Sequence, residues 1–165
     1  MLTVNQYRFR MPDGGEIQRD IVERPESVLV LPVSYKQTVL LVEEYDLGAG
    51  TWLLTLPGGK VTDSTAEGIY QQAVQELREE TGYRPGRLEK LLDLYSHPGY
   101  IGHRVHLFVA HDLEWDPLEM EDGEDIKVQT FTLEEALNAT KQDYRFDPEA
   151  ALALWLYFGE NRSAV

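Results

Sequence analysis

An α/β fold, with a mixed sheet layered between helices, is predicted by three observations. Two runs rich in valine and leucine, Ser27 to Val33 and Thr38 to Glu44, read as core strands. The stretch from Thr65 to Glu80 carries apolar residues at three- and four-residue intervals, the period of a helix packed along one side. Further strand-like runs are mixed with two more helical segments, and a sheet covered on two sides accommodates that mixture.

Taken in order, Met1 to Met11 alternates loosely, Asp13-Gly14-Gly15 is a turn signal, and Glu16 to Glu23 reads as the returning arm of a hairpin. The two core strands are joined by a polar turn at Ser34 to Gln37, and Trp52 to Leu56 supplies another strand. In the helix, Ala66, Ile69, Tyr70, Ala73, Val74 and Leu77 make the apolar stripe. Ser64 with Glu67 fits a capping box, and Gly82 is placed to end the helix. Strands are expected around Arg87 to Tyr95, Arg104 to His111 and Ile126 to Phe131, with helices from Leu133 to Ala139 and Pro148 to Phe158. Asp147 before Pro148 is a good cap followed by a good first helical residue. The acidic stretch Glu114 to Asp125 reads as a loop. With no internal repeat or linker, 165 residues read as a single domain over 1–165, a β appendage over 1–24 and a core over 25–165.

Composition narrows the function classes. No apolar run approaches the roughly 18 to 20 residues that span a membrane, and Met1 to Arg10 lacks the apolar segment of a signal peptide, so a cytoplasmic protein without a membrane partner is expected. The chain has no cysteine, which excludes disulfides, thiol catalysis and cysteine-based zinc sites. A formal net charge of -14 opposes attachment to nucleic acid or anionic lipid. A small polyanionic substrate can still bind through divalent cations, which invert the local electrostatics.

The segment Gln75-Glu76-Leu77-Arg78-Glu79-Glu80-Thr81-Gly82-Tyr83 concentrates the chemistry. Glu76, Glu79 and Glu80 stand at i, i+3 and i+4 of one helix, close enough to share divalent cations. Taking Ile69 as zero, Glu76 falls near -20°, Glu80 near +20° and Glu79 near -80°, beside an apolar stripe running from about 0° to 140°. Glu76 and Glu80 therefore sit at the edge of the buried face, where ionised carboxylates need compensating cations or donors. Magnesium prefers oxygen ligands and keeps several waters, so metal-assisted attack on a phosphate ester or anhydride is the expected chemistry.

The segment Gly59 to Tyr83 resembles the Nudix box, G-x5-E-x7-R-E-U-x-E-E-x-G-U with U a bulky apolar residue. The resemblance implies a Nudix fold: an α/β/α sandwich with a mixed β-sheet and, here, a small N-terminal antiparallel sheet that in related pyrophosphatases helps form a homodimer. It implies Mg2+, with Mn2+ possible, held by Glu76, Glu79, Glu80 and the carbonyl of Gly58 or Gly59, while Glu67 has helix capping as its alternative role. Two departures stand out: seven residues rather than five separate Gly59 from Glu67, and Gln75 replaces the arginine.

Ser96-His97-Pro98-Gly99-Tyr100 and the approach Gly48 to Lys60 resemble the branch that hydrolyses ADP-ribose and other nucleoside diphosphate sugars. ADP-ribose is accordingly the first substrate expected, with GDP-mannose or another nucleoside diphosphate derivative, or a noncatalytic nucleotide-sugar binding module, as alternatives. Lys60, Pro98 and Arg104 are the candidate substrate contacts. Glu124, at the end of the acidic loop, is the candidate general base, with Glu121 beside it. Glu44-Tyr45-Asp46 departs from the branch, which often has Gln-Tyr-Arg there, so an acid replaces a cation that could meet phosphate.

Overall fold

The computed structural model describes residues 3–120, 125–142 and 145–162. Among the described residues, ten strands and three helices run in the order β1 (Thr3–Arg10), β2 (Glu16–Glu23), β3 (Ser27–Pro32), β4 (Thr38–Asp46), β5 (Thr51–Thr55), β6 (Gly58–Lys60), α1 (Ala66–Thr81), β7 (Tyr83–Tyr95), β8 (Ile101–Gly102), β9 (Arg104–Trp115), β10 (Lys127–Thr132), α2 (Leu133–Gln142) and α3 (Pro148–Arg162). They form three sheets, ordered β1-β2-β8, β10-β4-β5 and β6-β3-β9-β7. The last is mixed, since β3 runs parallel to β9 while β6 and β7 are antiparallel to their neighbours.

Alternation along β3 and β9 divides the core in two. Val28, Val30, Phe108 and Ala110 meet Ile69, Ala73 and Leu77 of α1. Leu31, Val105, Leu107 and Val109 belong to the other cluster with Ala136 and Leu137 of α2 and Ala150, Ala153 and Leu154 of α3. Helices thus cover both faces of the mixed sheet, as the unbroken apolar runs require. The hairpin β1-β2 stands on β8 with largely exposed side chains.

Some boundaries differ from the sequence reading. The α1 cap is Thr65, whose hydroxyl accepts from Gly68 N–H at 3.1 Å, so Ser64 and Glu67 do not form the capping box; Glu67 instead accepts from Gln71 Nε2 at 2.7 Å. At the other end Gly82 closes the helix as expected, at φ 79° with its N–H donated to the Arg78 carbonyl at 3.0 Å. Trp115 lies over Gly82, where a Cβ would come within 2.4 Å of its ring. The same ring meets Tyr83 edge-on, and Arg84 pairs with Glu114 at 2.6 Å. These contacts start β7 at Tyr83 rather than Arg87 and carry β9 to Trp115, through residues expected to begin a loop.

Candidate active site

The segment Gly58 to Lys60 pairs with β3 through Leu29↔Gly58, Val28↔Gly59 and Ser27↔Lys60. Gly58 has no room for a side chain, because a Cβ would lie 2.2 Å from the Val28 carbonyl oxygen and 2.6 Å from Leu29 Cδ2. The two extra residues before Glu67 are absorbed on the other side of β6. Asp63 accepts from the Thr65 N–H and hydroxyl, each at 3.0 Å, and packs so closely on Gly68 that a Cβ there would come within 2.4 Å of the Asp63 carbonyl oxygen. Thr62 Oγ1 donates to Gln72 Oε1 at 3.1 Å, and Gln72 Nε2 donates to Glu76 Oε1 at 2.9 Å. The longer loop is thereby tied to α1, and the glycine strand keeps its place in the ladder.

Helical spacing brings Glu76 and Glu80 to that strand. A Cβ on Gly59 would fall 2.2 Å from Glu76 Oε1, so this carboxylate rests directly on the glycine. Glu80, only 6% exposed, accepts from the Gly58 N–H at 3.3 Å. Glu79 is placed differently: it accepts from Gln75 Nε2 at 2.9 Å along the helix. Gln75, where the box has arginine, thus holds Glu79 with a neutral amide.

Three neighbouring cavities share lining residues and together outline a candidate groove. The first, about 320 Å³, is lined by Glu80, Gly58, Glu44, Tyr45, Asp125 and Ile126 among others. Glu44 also lines the second, about 430 Å³, with Arg24, His97, His103, Asp147 and Glu149. Arg24 and Ile101 connect this to a third, about 720 Å³, walled by Tyr7, Phe9, Ile21, Tyr95 and Pro98. Beside lining residue Thr55, Leu54 anchors the start of α3, its N–H donating to the Arg145 carbonyl at 2.8 Å and its carbonyl accepting from Asp147 N–H at 2.9 Å. Burial pushes the Asp147 carboxyl up to about 6, although the Ala150 amide donates to it at 2.9 Å, and the charge of Glu149 adds to the rise. Burial, then the charge of Arg24, lowers the pKa of His103, whose Nε2 lies 2.9 Å from Ser27 Oγ. Glu44 is raised, by desolvation first and by Asp46 second.

The expected contacts fare unequally. Pro98 lines the aromatic end of the groove. Lys60 is exposed on β6, and Arg104 is held by Asp93 at 2.8 Å with Glu26 at 4.0 Å, so neither lines the three cavities. Glu121 and Glu124 lie outside the described residues, although the next residue, Asp125, reaches the cavity of Glu80. Glu44 and Asp125 are the lining residues that sequence reasoning missed. A signal for Glu44 stands in the same departure from Gln-Tyr-Arg, where Glu44 takes the glutamine position and Asp46 that of the lost cation.

Among the described residues no three His, Asp or Glu side chains are already arranged to hold a metal ion. The donor chemistry nevertheless fits a hard divalent cation: two carboxylates converge on Gly58 and Gly59, Glu76 in the room left by the missing side chain of Gly59 and Glu80 on the Gly58 N–H. Glu79 would join them by leaving Gln75.

The chain is similar to known proteins over most of its length. The chain is 30% identical over 146 residues to an ADP-ribose pyrophosphatase of Bacillus subtilis, covering 87% of this chain and 78% of that protein. It is 28% identical over 162 residues to a GDP-mannose pyrophosphatase of Cronobacter sakazakii, covering 90% and 82%. A solved structure described as an ADP compounds hydrolase superposes with a TM-score of 0.86 at 23% identity, over 99% of this chain and 88% of that one, and shares the fold. The family model described as the NUDIX domain matches residues 23–151, and the chain, with its glutamate helix set against a glycine strand, belongs to the NUDIX family, whose enzymes generally use divalent metal ions.

Proposed function

We propose that the protein hydrolyses the pyrophosphate bond of a nucleoside diphosphate sugar, ADP-ribose foremost, to a nucleoside monophosphate and a sugar phosphate. The observation that carries this reading is the meeting of Glu76 and Glu80 at Gly58 and Gly59, at one end of a groove whose other end is aromatic. Such a groove suits a substrate with a base, a pyrophosphate and a further group better than a compact triphosphate. Glu76, Glu80, Glu79 and the Gly58 carbonyl are the proposed holders of Mg2+, with Mn2+ as a substitute. When bound, the ion neutralises phosphate charge and acidifies a water. Water oxygen attacks one phosphorus, the bridging P–O bond breaks, and the water proton passes to a carboxylate, for which Glu124 remains the proposed base.

The groove's own residues sort the rest of the substrate. Tyr7, Phe9 and Tyr95 offer faces on which a base can stack. The middle section, with Glu44, Asp46, Asp147 and Glu149 against Arg24, accepts hydrogen bonds from sugar hydroxyls and disfavours an additional phosphate. The similarity to the B. subtilis ADP-ribose pyrophosphatase supports ADP-ribose, and that to the C. sakazakii enzyme supports GDP-mannose as the second reading. A homodimer is also proposed, because Val4, Tyr7, Phe9, Met11 and Tyr95 leave apolar surface exposed around a hairpin whose outer strand β1 is a sheet edge.

A panel of ADP-ribose, ADP-glucose, GDP-mannose, NADH, dinucleoside polyphosphates and nucleoside triphosphates, assayed with Mg2+, tests the assignment. ADP-ribose is expected to give the highest kcat/KM. A strong preference for triphosphates would reject the reading, and tight binding without turnover under several divalent ions would replace it with a binding module.

A further inference from the structure

The cluster around buried His106 lies outside the groove, and the reaction proposed above makes no use of it. His106 of β9 is 1% exposed; its Nδ1 lies 2.6 Å from Asp93 Oδ1 on β7 and its Nε2 3.2 Å from Glu26 Oε2, just before β3. A carboxylate accepts hydrogen bonds and does not donate them, so a ring nitrogen that carries a proton donates to the carboxylate beside it. Arg104 adds its contacts to the same two carboxylates, at 2.8 Å to Asp93 and 4.0 Å to Glu26, and Lys90 reaches Asp93 at 2.7 Å. The Glu26 side chain is thus met by His106 and Arg104 of β9, which in turn are tied to Asp93 of β7.

The Glu26 backbone points the other way along the ladder. Its carbonyl accepts from Val61 N–H at 2.8 Å, immediately beyond the pairs Ser27↔Lys60, Val28↔Gly59 and Leu29↔Gly58. One residue therefore joins the part-buried cluster centred on His106 to the strand on which Glu76 and Glu80 converge. A three-residue strand has only three paired positions with which to hold register, and removing buried His106 leaves two part-buried carboxylates without that hydrogen-bond partner.

We propose that His106 is a positioning residue, which by fixing Glu26 keeps β6 in the register that sets Gly58 and Gly59 against Glu80 and Glu76. The proposal rests on the reading of that convergence as a divalent-cation site. Its alternative is a rivet that contributes to stability alone.

The two roles separate in a metal-binding measurement. Mn2+ affinity is measured by the electron paramagnetic resonance signal of free Mn2+, alongside thermal melts, for the wild type, His106→Gln, Glu26→Gln and Leu154→Ala. Leu154 is fully buried in the cluster on the far face of the sheet and serves as the control for lost stability. His106→Gln is expected to weaken Mn2+ binding at least fivefold and to raise the Mn2+ concentration for half-maximal activity by a similar factor, with kcat at saturating metal within threefold of wild type. Leu154→Ala is expected to lower Tm while leaving Mn2+ affinity within twofold. Should His106→Gln not fold, Glu26→Gln, which keeps the shape of the side chain, carries the same expectation. Mn2+ affinity unchanged in the folded variant, or weakened equally by Leu154→Ala, overturns the proposal; a wild type that binds no Mn2+ overturns instead the cation-site reading beneath it.

Discussion

Replacing Gly59 by alanine is the smallest change that separates the chemistry of the site from its scaffold. The added Cβ would stand 2.2 Å from Glu76 Oε1, 2.5 Å from Cδ and 2.8 Å from Oε2, and ordinary contact begins at 3.4 Å. The carboxylate must therefore retreat by about 1.2 Å, the difference between 3.4 and 2.2 Å, and it can do so because it ends a flexible side chain. A displacement of about 1 Å in a positioned catalytic group costs roughly 100-fold in rate, or about 2.7 kcal/mol. Gly59→Ala is thus expected to lower kcat/KM for ADP-ribose by roughly 100-fold with little change in Tm. Gly58→Ala is the contrast, because its Cβ would meet the Val28 carbonyl oxygen at 2.2 Å and Leu29 Cα at 3.0 Å, atoms of the backbone that cannot swing aside. That variant is expected to lose about 1–3 kcal/mol of stability. The assay is steady-state product release with Mg2+, paired with urea denaturation. A Gly59→Ala enzyme within threefold of wild type would refute the placement of Glu76 against the glycine as a catalytic arrangement.

Asp93 provides a test of pH dependence. Burial raises its carboxyl, but the hydrogen bonds from Lys90 and His106 outweigh burial and hold it at about 2, below the ordinary 3.8. A depressed pKa in the folded state means that the stabilisation is present above about pH 4 and is lost as pH falls toward about 2, to the extent of about 2 kcal/mol. The stability gap between wild type and Asp93→Asn, from urea denaturation at steps across that range, is expected to shrink as pH falls; a constant or widening gap would contradict the account. The hairpin surface makes a separate claim. Sedimentation is expected to give a dimer, with Phe9→Asp shifting it toward monomer, and a wild-type monomer at all working concentrations would count against it.

The glutamate helix was the most legible part of the chain. Its stripe placed Ile69, Ala73 and Leu77 inward, and the same geometry brought Glu80 to the buried edge, where it is 6% exposed. Glu79 was less legible, since its direction depends on a rotamer and on Gln75, neither of which helical spacing determines. The cap moved by one residue because Ser64 and Thr65 are both competent hydroxyls, and the choice falls to the packing of Asp63 on Gly68. β6 escaped notice because Gly58-Gly59-Lys60 has no alternation to read, and only its partner β3 makes it a strand. The groove has no local signature at all: Arg24, Glu44, His97 and Asp147 meet only after the sheet has formed.

The central claim, that Glu76, Glu79 and Glu80 hold a divalent cation for pyrophosphate hydrolysis, is tested most directly by ADP-ribose turnover across a Mg2+ titration in wild type, Glu79→Gln and Glu80→Gln. The account predicts Mg2+-dependent release of nucleoside monophosphate by wild type and losses of roughly 100-fold or more in both variants with their folds retained. Unchanged rates in both variants, or a wild-type rate indifferent to Mg2+, would contradict it.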